Sequence, residues 1–188
     1  MLPSRRRSRH NLVYMSAKQL LVLRHAKSSW EDPGLDDHER PLAPRGRRAV
    51  KVISAHLRDH AIHPALVLCS SARRTRETLE GLEPGGEQLI EPDLYGADAT
   101  ALLERLRRVP EEIASVMLIG HNPALQMLVL RLATSGSPST DGSALTEVQR
   151  KFSTGALATL TFDCAWSELG PGRAGLEAFV RPKQLSRT

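Results

Sequence analysis

Three places in this sequence set groups able to grip or attack an anion directly after a short apolar run. Gln19-Leu20-Leu21-Val22-Leu23 stops at Arg24-His25, Ala65-Leu66-Val67-Leu68-Cys69 leads into Ser70-Ser71-Ala72-Arg73-Arg74, and Ser115-Val116-Met117-Leu118-Ile119 ends at Gly120-His121. A guanidinium fork holds two phosphate oxygens at once and does not deprotonate. An imidazole with one unprotonated nitrogen can attack phosphorus. Taken singly, Arg24-His25 reads as a strand end with solvated polar residues and His121 as a neighbour of a helix cap. Taken together, two arginines, two imidazoles and the helix N-termini beside them suit a doubly charged phosphoryl group.

Other reactive residues fit blander roles. His56, His60 and His63 have metal-ligand spacing but lack the glutamate of His-Glu-x-x-His, so they read as a solvated helix end. Asp36, Asp37 and Glu39 form an acid-rich stretch able to hold Mg²⁺, yet a charged surface loop is the better reading. Cys69 invites a cysteine-phosphatase reading, but that chemistry needs an arginine six positions on, where this chain has Thr75. Cys69 and Cys164 are too few for a disulfide framework and point to free thiols in a reducing, cytoplasmic setting. No cofactor or metal is expected.

The three apolar runs need scaffolding, and the intervening segments supply it. Beyond Gln19 and Ser115 at their starts the runs are apolar without a break, as in a strand buried on both faces. Between them, Val50, Ile53 and Leu57 predict an amphipathic helix ending near His60, and Ser70-Ser71 offers capping hydroxyls to a helix reaching about Leu82. Leu102, Leu103 and Leu106 mark another helix after a turn-rich break from Gly81 to Gly86. Asn122 suits an N-cap with Pro123 at the first helical position, followed by Leu125, Leu128, Val129 and Leu132 on one face. Ser135 to Asp141 reads as a flexible loop. Ala156 to Phe162 and Leu176 to Val180 read as late strands around a Gly-rich turn at Gly170 to Gly175. This alternation predicts an α/β three-layer sandwich with a mostly parallel central sheet, whose ligands gather at the carboxyl ends of the strands.

The length of 188 residues suits one domain, and no apolar run approaches the roughly 20 residues of a membrane-spanning helix. The net charge of +5 is concentrated at the ends. Residues 15 to 180 carry 19 basic and 21 acidic side chains, a net of −2, so the body is no clamp for nucleic acid. Residues 1 to 16, with Arg5, Arg6, Arg7 and Arg9, read as a disordered basic extension, or Met15 is the functional start. Residues 17 to 181 form the expected domain and 182 to 188 a tail.

The motifs resemble the histidine phosphatase superfamily, the phosphoglycerate-mutase-like enzymes, and among them the short SixA-type phosphohistidine phosphatases. Leu23-Arg24-His25-Ala26-Lys27-Ser28 is similar to the opening Arg-His-Gly motif with alanine for glycine. Ser70 to Thr78 resembles the second motif and Ile119-Gly120-His121-Asn122-Pro123 the second histidine. Arg40-Pro41-Leu42 and Thr154-Gly155-Ala156-Leu157 extend the likeness over most of residues 18 to 162. The resemblance implies a phosphoglycerate-mutase-like fold and a covalent mechanism: His25 attacks phosphorus, and water hydrolyses the resulting phosphohistidine. It implies that Arg24, Arg74 and His121 hold the phosphoryl oxygens. Ser28 is a candidate hydroxyl donor to phosphate and Arg40 a candidate entrance residue, with an ordinary loop role the alternative for each. Arg73 lies four residues before Glu77 and suits a surface ion pair. Arg74 lies four before Thr78, the family spacing.

Two departures matter. Lys27 stands where mutase-like members carry glutamate, and Glu91-Pro92-Asp93-Leu94-Tyr95-Gly96 offers no clean match to their general acid. The expectation is a metal-independent phosphatase acting on phosphohistidine. A small-metabolite phosphomonoesterase and a weakly catalytic phosphate-binding regulatory module are the alternatives. The expected partner is a phosphorylated substrate, a protein or a small ester, without nucleic acid or membrane, and the oligomeric state is left open.

Overall fold

The computed structural model describes residues 17–133, 137 and 139–186. Six strands form one sheet: β1 (Lys18–Arg24), β2 (Leu66–Ser70), β3 (Glu87–Glu91), β4 (Ser115–Gly120), β5 (Leu157–Phe162) and β6 (Gly175–Val180). Their order is β3-β2-β4-β1-β5-β6. The pairs β3–β2, β2–β4 and β4–β1 are parallel, whereas β5 is antiparallel to both β1 and β6. The helices are α1 (Pro44–Asp59), α2 (Arg73–Leu82), α3 (Ala99–Leu106), α4 (Ala124–Leu132), α5 (Gly142–Arg150) and the one-turn α6 (Pro182–Leu185).

Alternation along the strands divides the core into two layers. Leu20, Val22, Leu66, Leu68, Val116 and Leu118 pack with Leu102, Leu103, Leu106, Leu125, Leu128 and Val148, hence with α3, α4 and α5. Leu21, Leu23, Val67, Cys69, Met117 and Ile119 face the other way, onto Val50, Ile53, Leu57, Leu79 and Leu82 of α1 and α2. A strand buried on both faces must be apolar at successive positions, which is why these three runs do not alternate with polar residues. Burial of each such Leu or Val side chain contributes about 1.5–3 kcal/mol.

Register fixes where the strands end. Arg24 lies opposite Gly120, and Cys69 and Leu23 both lie opposite Ile119. The residues that follow β1, β2 and β4 therefore emerge at one level along one rim. Two glycines let the backbone close around that rim. A Cβ on Gly46 of α1 would lie 2.2 Å from the Lys27 carbonyl oxygen. Gly155 adopts φ +74° and donates its N–H to the carbonyls of both Arg24 and His25, each at 3.1 Å.

Several local expectations change. Neither Ser70 nor Ser71 caps α2: the cap position is Ala72, without a side-chain bond, because both hydroxyls are drawn to histidines. Asn122 is not the cap of α4, which begins at Ala124 behind a cis Asn122-Pro123 bond. The Asn122 amide instead donates to the Phe152 carbonyl at 3.1 Å. The domain continues past residue 181, since α6 follows and Leu185 packs against the α1–α2 layer. Residues 1–16, residue 134, positions 135, 136 and 138 of the expected flexible loop, and 187–188 of the expected tail lie outside the described residues.

Candidate active site

The His25 ring is buried, and its Nδ1 lies 2.7 Å from the carbonyl oxygen of Ala26. A carbonyl only accepts, so Nδ1 carries the proton and Nε2 keeps its lone pair. The carbonyl that fixes the tautomer thus belongs to the adjacent residue. Burial pushes the His25 pKa down to about 3, reinforced by the nearby charges of Arg74 and Arg24, although the Ala26 bond works the other way. The imidazole is neutral at physiological pH.

His121 comes from the end of β4, with its ring centroid 5.2 Å from that of His25. Its Nε2 lies 2.8 Å from Ser70 Oγ and its Nδ1 3.4 Å from Arg74 Nη2. Because the guanidinium only donates, Nδ1 accepts and Nε2–H points at Ser70. Burial, then Arg74, lowers the His121 pKa to about 4.

Arg24 is anchored by Nη1 donating to the Phe152 carbonyl at 2.7 Å, while its buried Nε has no partner among the described residues. Its pKa is lowered, first by burial and then by Arg74. Arg74 is buried at the start of α2, whereas Arg73 makes the expected surface pair with Glu77 at 2.8 Å. Thr78 braces this corner: its hydroxyl accepts from the Ala26 N–H at 3.1 Å and donates to the Arg74 carbonyl at 2.6 Å. The structure therefore brings Arg24, His25, Arg74 and His121 to one rim.

Ser28 and Arg40 form a separate brace. Arg40 is buried, not placed at an entrance. Its Nε donates to the Ser29 carbonyl at 3.0 Å, Nη1 to Asp37 Oδ1 at 2.8 Å and Nη2 to Ser28 Oγ at 2.8 Å, and Trp30 covers its guanidinium. As an acceptor from Arg40, the Ser28 hydroxyl keeps its own proton free to donate.

Asp37 and Tyr95 join the site without any signal in spacing. Asp37 Oδ2 accepts from Arg74 Nη2 and from the Tyr95 hydroxyl, each at 2.9 Å, and the Asp37 carbonyl accepts from Arg74 Nη1. Burial alone would raise the Asp37 carboxyl, but the bonds from Tyr95, Arg74 and Arg40 hold it down at about 2. The acid-rich stretch thus delivers a carboxylate onto the site arginine. His38 from the same one-turn helix bonds Ser71 Oγ through Nε2 at 2.9 Å. Cys69 is fully buried, and desolvation pushes its thiol up to about 12, which suits a core residue. Among the described residues no group of three or more His, Cys, Asp or Glu side chains comes together as a metal site, and no helix is long and apolar enough to cross a membrane.

A fold with a mostly parallel sheet and two histidines among arginines at its carboxyl rim defines a class, and comparison with known proteins gives the same one. Residues 20–98 match the model of the histidine phosphatase superfamily (branch 1). An uncharacterized protein of Mycobacterium tuberculosis is 34% identical over 161 residues, covering 86% of this chain and 100% of the relative. A solved structure described as a putative phosphohistidine phosphatase SixA from Nakamurella multipartitia is 31% identical, with a TM-score of 0.79 over 89% of this chain and 97% of that one. Phosphoglycerate mutase from Plasmodium falciparum, 16% identical, shares the fold at a TM-score of 0.57 over 87% of this chain and 91% of that one. The chain belongs to the histidine phosphatase superfamily. Within it, the likeness is to the SixA-type proteins.

Proposed function

We propose that this protein is a phosphohistidine phosphatase that works through a covalent intermediate on His25. The observation that carries the reading is the Nδ1–H bond to the Ala26 carbonyl, which holds a neutral imidazole with Nε2 unprotonated beside Arg24, Arg74 and His121. The Nε2 lone pair attacks phosphorus, the P–N bond to His25 forms, and the bond to the leaving group breaks with its electron pair. Water then attacks phosphorus, the P–Nε2 bond breaks, orthophosphate leaves and the His25 lone pair is restored.

Arg24 and Arg74 neutralise charge on the phosphoryl oxygens, the main task in phosphoryl transfer. Ser28 completes the cradle, and His121 joins it when its Nε2–H turns from Ser70 to a phosphoryl oxygen; Arg40 acts through Ser28 as a positioning residue. For Arg74 to grip phosphate, Asp37 must give up its hold on that guanidinium. With Arg74 turned to phosphate, the bonds from Tyr95 and Arg40 still hold the Asp37 carboxyl down, which makes it a poor proton donor to an alkyl leaving group. A phosphohistidine leaving group needs less help. No step draws on a metal.

The experiment is hydrolysis of a phosphohistidine peptide, p-nitrophenyl phosphate and a sugar phosphate, in EDTA. Phosphohistidine is hydrolysed fastest, then the aryl ester, and His25→Ala abolishes both. Undiminished turnover by His25→Ala overturns the mechanism, and a sugar phosphate as best substrate overturns the substrate.

A further inference from the structure

Beside the rim, on the side of α1 and α6, lies a cavity of about 900 Å³. Among the described residues its wall carries six cationic side chains, Arg24, Lys27, Arg45, Lys151, Arg181 and Lys183, and no Asp or Glu. They come from the end of β1, the loop after it, the first turn of α1, the segment between α5 and β5, and the start of α6. Arg181 is balanced by Glu147 at 2.6 Å. Lys27, Arg45, Lys151 and Lys183 make no ion pair among the described residues.

Such crowding is not the average of this surface, because residues 15 to 180 sum to −2. Cations gathered on one concave wall repel each other and focus a positive potential that an anionic ligand relieves. Arg24 stands at the junction: it lines this cavity and is close enough to His25 and Arg74 to shift the one and be shifted by the other. The four unpaired cations are solvent-exposed at the cavity's margin. That arrangement suits an acidic stretch of chain lying across the opening more than a small molecule, which a pocket usually encloses over most of its surface.

We propose that this cavity is a substrate-docking subsite for an acidic segment of the phosphoprotein flanking the phosphorylated histidine. The proposal rests on the phosphohistidine phosphatase reading for its substrate. Arg24 then joins the phosphoryl pocket to the groove, and Lys27, Arg45, Lys151 and Lys183 meet the carboxylates of the flanking residues. Lys27, the departure from the mutase-like pattern, belongs to this groove.

The test uses the full chain and two phosphohistidine peptides that differ only in three flanking residues, all Glu or all Gln. The Glu peptide has a kcat/KM at least tenfold higher at low salt, and the advantage shrinks in 0.5 M NaCl as exposed charges are screened. Lys151→Glu/Lys183→Glu removes the advantage, and Lys151→Ala/Lys183→Ala reduces it. Arg108→Glu, an exposed cation just before β4 and so at the opposite end of the sheet, leaves it intact. Fluorescence anisotropy of the unphosphorylated Glu peptide reads docking without turnover. If no substrate is hydrolysed but that peptide still binds and loses affinity in the lysine variants, the catalytic reading fails and the groove stands. Equal kcat/KM for the two peptides overturns the groove alone. So does tripolyphosphate binding that needs Lys151 and Lys183 when the Glu peptide does not bind, which reassigns the cavity to small polyanions.

Discussion

The tautomer of His25 governs what the rim can do as pH changes. An ordinary imidazole titrates near 6.5, and a nucleophile with that pKa loses activity steeply below neutrality. Here burial puts His25 at about 3 and His121 at about 4. The profile of kcat/KM, which reports groups of the free enzyme, is therefore expected to stay level from pH 8 to 5, measured with an aryl phosphate whose own ionisation is corrected for. A fall centred near 6.5 would show that one ring is wetter than the structure has it. The two adjacent arginines separate equally sharply. Arg74→Ala removes a buried guanidinium beside His121 and is expected to lower kcat by 10²-fold or more, on the order of a few kcal/mol. Arg73→Ala removes only an exposed ion pair and is expected to change it less than twofold.

At the scale of elements, the backbone contacts that close the rim are as demanding as its side chains. Gly46→Ala drives a Cβ to 2.2 Å from the Lys27 carbonyl, a backbone atom that already accepts the Ala43 N–H at 2.9 Å. A loss of about 1–3 kcal/mol is expected from this overpacking. Because the displaced loop carries Ser28, kcat/KM falls along with the denaturation midpoint. A variant with wild-type midpoint and activity would mean that α1 can slide away from the loop at little cost. The elements that position the site were legible where both faces of a strand are buried, because β1, β2 and β4 had to be apolar without interruption. Edge strand β3 escaped reading: Glu87-Gln88-Leu89-Ile90-Glu91 is largely exposed and resembles a loop in composition. Helix α5 is hidden in sequence behind the Ser/Gly/Pro stretch, although Asp141 caps it by accepting from the Ser143 and Ala144 N–H groups. Within the site, residues at strand ends could be found from the runs that precede them. Asp37 and Tyr95 could not, because Tyr95 lies 58 residues beyond the carboxylate it bonds, and no local periodicity links them. A lone arginine in a polar loop gives no hint that Ser28, Ser29, Asp37 and Trp30 enclose it, so the burial of Arg40 is not legible in sequence.

The whole molecule carries the cost of keeping that rim neutral and dry, and the cost is readable as acid sensitivity. In the unfolded chain His25 and His121 take up protons below about pH 6.5, whereas the folded protein withholds them until about 3 and about 4. Between those limits the unfolded state binds more protons, so stability falls as pH falls. Each histidine contributes at most about 1.4 kcal/mol per pH unit across its window. Asp37 adds a loss of the same sign lower down, since its folded value of about 2 lies below the ordinary carboxylate range. Urea denaturation at pH 7.5, 5.5 and 4.5 is expected to give a midpoint that drops at each step with an unchanged slope. In a His25→Gln/His121→Gln variant, which keeps polar groups at the rim but cannot titrate, the drop between pH 6.5 and 4.5 becomes shallower. A wild-type midpoint that does not move between pH 7.5 and 4.5 would mean that both rings accept protons in the folded state, and the neutral nucleophile at the centre of the proposed mechanism would lose its physical basis.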